Sequence, residues 1–167
     1  MTEQTNRKRK VAVGTASAGA LMIAMGLATH WEGESLVAYQ DVVGVWTLCD
    51  GETKGVRKGD TATHAQCQEM LAKRLAQFSA EIAPCLPAGL PDKTEAAFID
   101  VAYNIGSSAF CKSSISKRAL AGDLSGACDA LLLWNKGRIA GILQPITGLT
   151  NRRKAERQTC HEGLAGL

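Results

Sequence analysis

The sequence predicts an α+β fold: one short sheet near the N-terminus, then a mainly helical lobe, the whole preceded by an uncharged helical segment. Three observations predict it. Between Tyr39 and about Val56, β-forming residues are interleaved with glycines. From Thr63 onward, apolar residues recur at helical spacing. The segments that follow begin and end on helix-capping residues rather than on strand and hairpin signals. At 167 residues, one globular domain is the default.

The first ten residues, MTEQTNRKRK, hold Arg7, Lys8, Arg9 and Lys10 against Glu3 alone. Without them the chain carries 15 basic and 15 acidic residues, a net of zero. The formal charge of +3 therefore sits at the N-terminus, and the body has no global basic excess. That argues against a protein that reads nucleic-acid phosphate through bulk charge.

Val11 to Thr29 contains no charged residue. As a helix it would span roughly 28 Å, close to the hydrocarbon thickness of a bilayer. The basic cluster before it fits an N-in, C-out orientation. Yet the segment is weakly apolar: beside Val11, Val13, Leu21, Met22, Ile23, Met25 and Leu27 it holds only Gly, Ala, Ser and Thr. Residence in lipid is marginal on that composition. A cleaved signal peptide, an uncleaved signal anchor able to leave the bilayer, and a plain buried helix all fit, the last least well after a basic preface. The chain divides into 1–29, a basic N-terminus and signal-anchor segment, and 30–167, the globular body.

Residues 30–38 read as helix, with Trp31 and Leu36 on one side. Val42, Val43, Val45, Trp46, Thr47 and Leu48, separated by Gly44, Gly51 and Gly55, read as a hairpin or three-stranded sheet. From Thr63, Cys67, Met70, Leu71, Leu75, Phe78 and Ile82 mark a helix that PAGLP breaks. A second helix opens at Asp92, an N-cap with Glu95 completing a capping box, and stops at Gly106. Helices follow at 111–121, 123–134 and 150–160, the last capped by Thr150 or Asn151.

All six cysteines lie beyond the apolar segment: Cys49, Cys67, Cys85, Cys111, Cys128 and Cys160. An even set on the far side of a translocating segment reads as disulfides in an oxidising compartment. Six cysteines allow 15 pairings, and spacing does not choose among them. With no CxxC pair, a zinc knuckle or thioredoxin-type site has no support. No thiol lies in the N-terminal segment, so disulfide exchange from that segment is excluded as a switch.

Two carboxylates and a threonine stand out in HWEGESLVAYQDVVGVWTLCDG: Glu32, Asp41 nine positions later, and Thr47 six further on. Glycoside hydrolysis needs one protonated carboxyl to donate to the leaving oxygen and one ionised carboxyl to orient water or stabilise positive charge. Glu32 beside Trp31 at a helix end and Asp41 among turn residues suit those two environments. Glu34, about 200° from Glu32 around a helix, cannot face the same cleft. Spacing alone is also compatible with surface carboxylates at a helix end and a turn.

The run Glu32-Gly33, YQD ending in Asp41, Gly44, and WT ending in Thr47 resembles the Glu–Asp–Thr signature of the phage-type lysozymes, glycoside hydrolase family 24. AYNIG at 102–106 resembles the family's Asn-x-Gly helix ending. AGDLSGACDALLLWNKG resembles the segment after it, and GLTNRRKAERQTC at 148–160 the C-terminal helix. The likeness covers Trp31 to Gly163, and with the weakly apolar N-terminus it extends to the signal-arrest-release (SAR) endolysins. It implies a lysozyme-like α+β fold and hydrolysis of the β-1,4 bond between N-acetylmuramic acid and N-acetylglucosamine in peptidoglycan.

The resemblance makes Glu32 the general acid. Asp41 then holds or activates water, Thr47 positions it, and Asn104 is a candidate for hydrogen bonding an N-acetyl group. It implies no cofactor, metal or nucleic-acid partner, and a monomer. Export would use the host translocon, with residues 11–29 as an inner-membrane tether and the periplasm as the destination after release. One departure stands out: where family members commonly carry Tyr-Gly-His, this chain has Asp50-Gly51-Glu52. These extra carboxylates leave open a wall-binding or inactive relative, and the N-terminus alone would also fit a spanin-like membrane partner. Arg152, Arg153, Lys154 and Arg157 read as a solvated helix face with Glu156. His30 reads as helix surface, and Trp134 as core.

Overall fold

The computed structural model describes residues 16–41 and 43–166. The basic cluster Arg7–Lys10, the start of the uncharged segment and Val42 lie outside the described residues. In chain order the elements are α1 (Ala18–Glu32), β1 (Ser35–Gln40), β2 (Trp46–Cys49), α2 (His64–Ile82), α3 (Asp92–Ile105), α4 (Ser107–Lys112), α5 (Ser114–Leu120), α6 (Leu124–Ala130), β3 (Lys136–Ile139), β4 (Ile142–Pro145) and α7 (Thr147–Leu164). Short 3₁₀ turns follow α2 at Ala83–Cys85 and α6 at Leu131–Leu133. The predicted class holds: a small hairpin lobe and a larger helical lobe.

Helix α3 is the axis of the helical lobe. Ala96 to Ala102 are buried without interruption, which a helix achieves only when neighbours cover several of its faces. Helices α1, α2 and α7 pack on it. Phe98 and Phe110 meet with ring centroids 6.0 Å apart, and Leu75, Ile82, Ile115 and Leu131 close the core around them. A second, smaller core in the hairpin lobe joins Ala38, Leu48 and the disulfide Cys49–Cys67.

Helix α1 runs from inside the uncharged segment straight through to Glu32, across the expected boundary at residue 29. Ala20, Ala24 and Ala28, spaced by four, are completely buried. Small side chains on one stripe let this helix approach the body closely. Met22 and Gly26 lie on the outer side, Met22 at 73% exposure. The Ser17 side chain caps the helix through the Ala20 N–H and donates to Asp92 Oδ1 at 2.7 Å. Among the described residues, no helix is long and apolar enough to cross a membrane.

Several expectations are corrected. Residues 33–38 are not helical: Gly33, at φ +72°, ends α1, and β1 begins at Ser35. Of the two readings of the sheet, the hairpin holds and the three-stranded form does not: β1 is antiparallel to β2, with Tyr39 opposite Thr47 and Gln40 opposite Trp46. Its irregular middle is satisfied by the chain at 60–62, where the Ala38 N–H donates to Asp60 O and the Ala62 N–H to Leu36 O. Asp92 is the first residue of α3 rather than its cap, because its carboxylate is engaged by Ser17 and Pro91 holds the capping position. The capping box occurs instead at α2, between Thr63 and Gln66.

The C-terminal third differs most. Three short helices replace the predicted pair at 111–134. The antiparallel hairpin β3–β4 was not expected, and α7 begins at Thr147. Thr150 does not cap this helix; its hydroxyl donates back to Ile146 O at 3.0 Å. All six cysteines pair: Cys49–Cys67, Cys85–Cys111 and Cys128–Cys160. On chain-entropy grounds each closure contributes about 3–4 kcal/mol.

Candidate active site

The C-terminal end of α1 delivers Glu32 to a guanidinium from the far end of the chain. Arg152 Nη1 donates to Glu32 Oε1 at 2.5 Å, and among the described residues no donor reaches Oε2. Arg152 Nη2 donates to Asp100 Oδ1 at 2.9 Å, and its Nε to Glu156 Oε1 at 3.2 Å. Arg153 Nη2 donates to the same Glu156 oxygen at 2.6 Å. One planar fork thus joins α1, α3 and α7, a geometry lysine cannot reproduce. The predicted solvated face is corrected here: Arg152, Arg153 and Glu156 are buried, because they project toward α3, where Asp100 meets them.

The proton count of this cluster follows from its burial. Burial works against the Arg152 charge, but Asp100 and Glu32 outweigh it and hold its pKa above the ordinary value. Burial first, then a hydrogen bond and like charge from Asp100, pushes Glu156 up to about 9. Its environment therefore favours the neutral carboxyl. Glu156 Oε2 and Asp100 Oδ2 both lack a heavy-atom donor, and the Glu156 proton shared with Asp100 satisfies them together. Both guanidinium groups thus face one carboxyl cluster made of Glu32, Asp100 and Glu156. Only Glu32, with its side chain 26% exposed, meets solvent.

Asp41 follows β1 at the tip of the first hairpin. Its Oδ1 accepts the N–H groups of Val43 at 2.9 Å and Val45 at 2.8 Å, and its own N–H donates to Val45 O. Such an Asx turn locks the side-chain direction. Thr47 lies on β2, buried, its hydroxyl donating to Val45 O at 3.1 Å. Asp41 and Thr47 thus share one rigid hairpin that starts three residues after Glu32. Among the described residues no hydrogen bond or ion pair joins Glu32 to either. Asn104, at the end of α3, is exposed.

Asp50 is the unexpected member. It is 3% exposed and neither carboxyl oxygen has a partner, while its backbone carbonyl accepts the Tyr103 hydroxyl at 2.7 Å. Burial, then the like charges of Glu34 and Glu32, raise its pKa. Burial likewise pushes the Tyr103 phenol up. Glu34 does not sit opposite Glu32 on a helix; it has left the helix and meets His64 Nδ1 at 2.8 Å, at the start of α2. That carboxylate raises the His64 pKa.

Asp100 and Arg152 were missed in the sequence. Their signal was present: Asp100 is a lone acid inside the apolar run AAFIDVAY, and an isolated charge in a buried helix demands a partner.

The model of the family described as Phage lysozyme matches residues 29–156. A SAR-endolysin of Enterobacteria phage PA-2 is 36% identical over 159 residues, covering 91% of this chain and 94% of that protein. Among solved structures, an endolysin from Escherichia coli O157:H7 phage FAHEc1 superposes with a TM-score of 0.76 at 28% identity, covering 88% of this chain and 93% of that one. The active form of the P1 phage endolysin Lyz gives 0.72 at 26% identity over 90% of this chain and 87% of its own. The secreted inactive form of Lyz gives only 0.51. Signature, fold and relatives agree, and the chain belongs to the phage lysozyme family, as a lysozyme of the SAR-endolysin type.

Proposed function

We propose that this protein is an endolysin that cleaves the β-1,4 bond between N-acetylmuramic acid and N-acetylglucosamine. Glu32 donates the proton to the leaving oxygen. Asp41 holds or activates the water, Thr47 positions it, and Asn104 contacts the saccharide. The observation that carries this reading is the anchoring of Glu32: Arg152 fixes one carboxyl oxygen of a part-exposed side chain, and among the described residues no donor occupies Oε2. A general acid needs both a fixed direction and a free oxygen to carry its proton. Asp41, with its Oδ1 committed to two backbone N–H groups, keeps Oδ2 for water.

The test compares purified wild type with Glu32→Gln on isolated peptidoglycan, reading the release of reducing sugar ends. We expect loss of at least about 100-fold, the scale of a missing general acid. Equal clearing by both, or none by either, would remove the enzyme reading in favour of a wall-binding or inactive relative.

The same helix supplies the regulation. In this proposal the host translocon exports the chain, and residues 11–29 hold it in the inner membrane until the segment leaves the bilayer. It then folds against the body and carries Glu32 to Arg152, with the periplasm as the site of action. Supporting this are the marginal lipid affinity of the segment and the burial of Ala20, Ala24 and Ala28 against the body. The greater similarity to the active form of Lyz than to its inactive form fits the described arrangement being the working state.

A further inference from the structure

The hairpin β3–β4 is a poor candidate for standing alone in water. Two strands without a covering layer are marginal, and this pair exposes its apolar side chains. Ile139 and Ile142 are cross-strand partners beside the turn, exposed by 50% and 67%, and Leu143 by 58%. Leu133, just before the first strand, is exposed by 68%. The turn residues Ala140 and Gly141 both have positive φ, +49° and +82°. That geometry favours Asn-Gly or Asp-Gly. Here alanine occupies the first position despite the strain, so the tip Ile139-Ala140-Gly141-Ile142 carries no polar side chain at all.

Charge on the same stretch has one sign. No acidic residue occurs between Asp129 and Glu156, and Glu156 is buried. Lys136 and Arg138 lie on β3, on the face opposite Ile139, and Lys154 is exposed on α7. Arg138 Nη1 also donates to Gly141 O at 3.0 Å, which fixes the turn. An apolar tip flanked by cations matches the boundary between acyl chains and anionic headgroups. A saccharide is a poorer match, because the hairpin offers no aromatic ring for stacking.

We propose that this hairpin is a membrane-docking element that inserts its Ile139–Ile142 tip into an anionic lipid surface, with Lys136 and Arg138 at the headgroups. It shares no residue with the glycan-cleaving groups or with α1. It keeps the folded protein next to the bilayer after any tether has let go.

The experiment uses the full chain, so that the basic N-terminus contributes equally to every variant. Binding to vesicles of phosphatidylglycerol and phosphatidylethanolamine is measured by flotation, for wild type and for the double variant Ile139→Thr with Ile142→Thr. Threonine retains strand propensity, both sites are exposed, and a thermal melt with unchanged midpoint confirms folding. We expect affinity to fall about tenfold in the double variant, and roughly fivefold for each of Lys136→Gln and Arg138→Gln. Vesicles of phosphatidylcholine alone bind weakly and equally. Unchanged binding to the anionic vesicles in the double variant would overturn the proposal. Two findings would do so by naming another occupant: lost binding to purified sacculi with vesicle affinity intact, or conversion of a dimer to a monomer with vesicle affinity intact.

Discussion

Arg152 and Glu32 lie 120 positions apart in the chain and meet as an ion pair whose guanidinium also serves Asp100 and Glu156. The last turn of the first helix is therefore held by the second turn of the final helix. The placement of the carboxyl at position 32 depends on closure of the whole chain.

Removing Arg152 leaves Asp100 Oδ1 buried without a donor and lets the Glu32 carboxyl turn freely. Arg152→Ala should lower unfolding stability by about 3–5 kcal/mol, the cost of breaking a buried pair by removing one partner. Denaturant unfolding measures it. Arg152→Lys should recover only part of the loss, because an ammonium cannot address three carboxyl groups in one plane.

Glu156 behaves as a neutral acid, so Glu156→Gln preserves shape and charge at pH 7. Its Nε2 donates to Asp100 and its oxygen still accepts from both arginines. The stability change at pH 7 should stay within about 1 kcal/mol. The pH dependence differs more. In wild type the folded pKa of about 9 lies above the unfolded value of 4.5, so the folded state binds the extra proton between them. Stability then falls as pH rises through that window, and the variant should lose this part of the slope in melts from pH 5 to 9.

Asp50 is a buried carboxyl with no donor. Its folded pKa is raised above the ordinary aspartate value, so its contribution to stability is greatest in acid and declines as pH rises. Asp50→Asn should raise stability at neutral pH by about 1–2 kcal/mol, with the gain vanishing in acid. Thermal melts at pH 3.5 and 7 distinguish this from a pH-independent packing effect.

The two faces of α1 make opposite predictions for added leucine. A Cβ at Gly19 would lie 2.1 Å from Asp92 Oδ2, so Gly19→Leu should break the Ser17–Asp92 contact and destabilise the fold by about 1–3 kcal/mol. Gly26 has nothing within 4 Å of its Cβ position. Gly26→Leu should leave the melt unchanged or slightly improved while increasing the membrane-pelleted fraction in cells and delaying lysis. Wild-type fractionation and timing in that variant would defeat the tether model.

Much of this was legible in the sequence, and the limits have physical causes. Periodicity located α2, and the residues at Asp92 and Gly106 bounded α3, because each signal is local. The boundary at Gly33 was missed because a single glycine is tolerated inside a helical pattern, and only its positive φ here turns the chain. The second hairpin was missed because its strands, KGRI and ILQP, lack alternation and expose their apolar residues. In the site, Glu32, Asp41 and Thr47 stood out by their spacing. Asp100, Arg152 and Glu156 did not, since their burial is decided by packing between helices 50 residues apart. The charge on Arg152 and Arg153 looked like solvated surface for the same reason.

The inner stripe of α1 is all alanine, and the outer stripe bears Met22 and Gly26. Under the proposed tether, mutation at outward positions would retune how long the chain dwells in lipid without disturbing the docked helix or the chemistry at its end. Burst timing and enzyme quality would then be separately heritable traits carried on opposite sides of a single short rod.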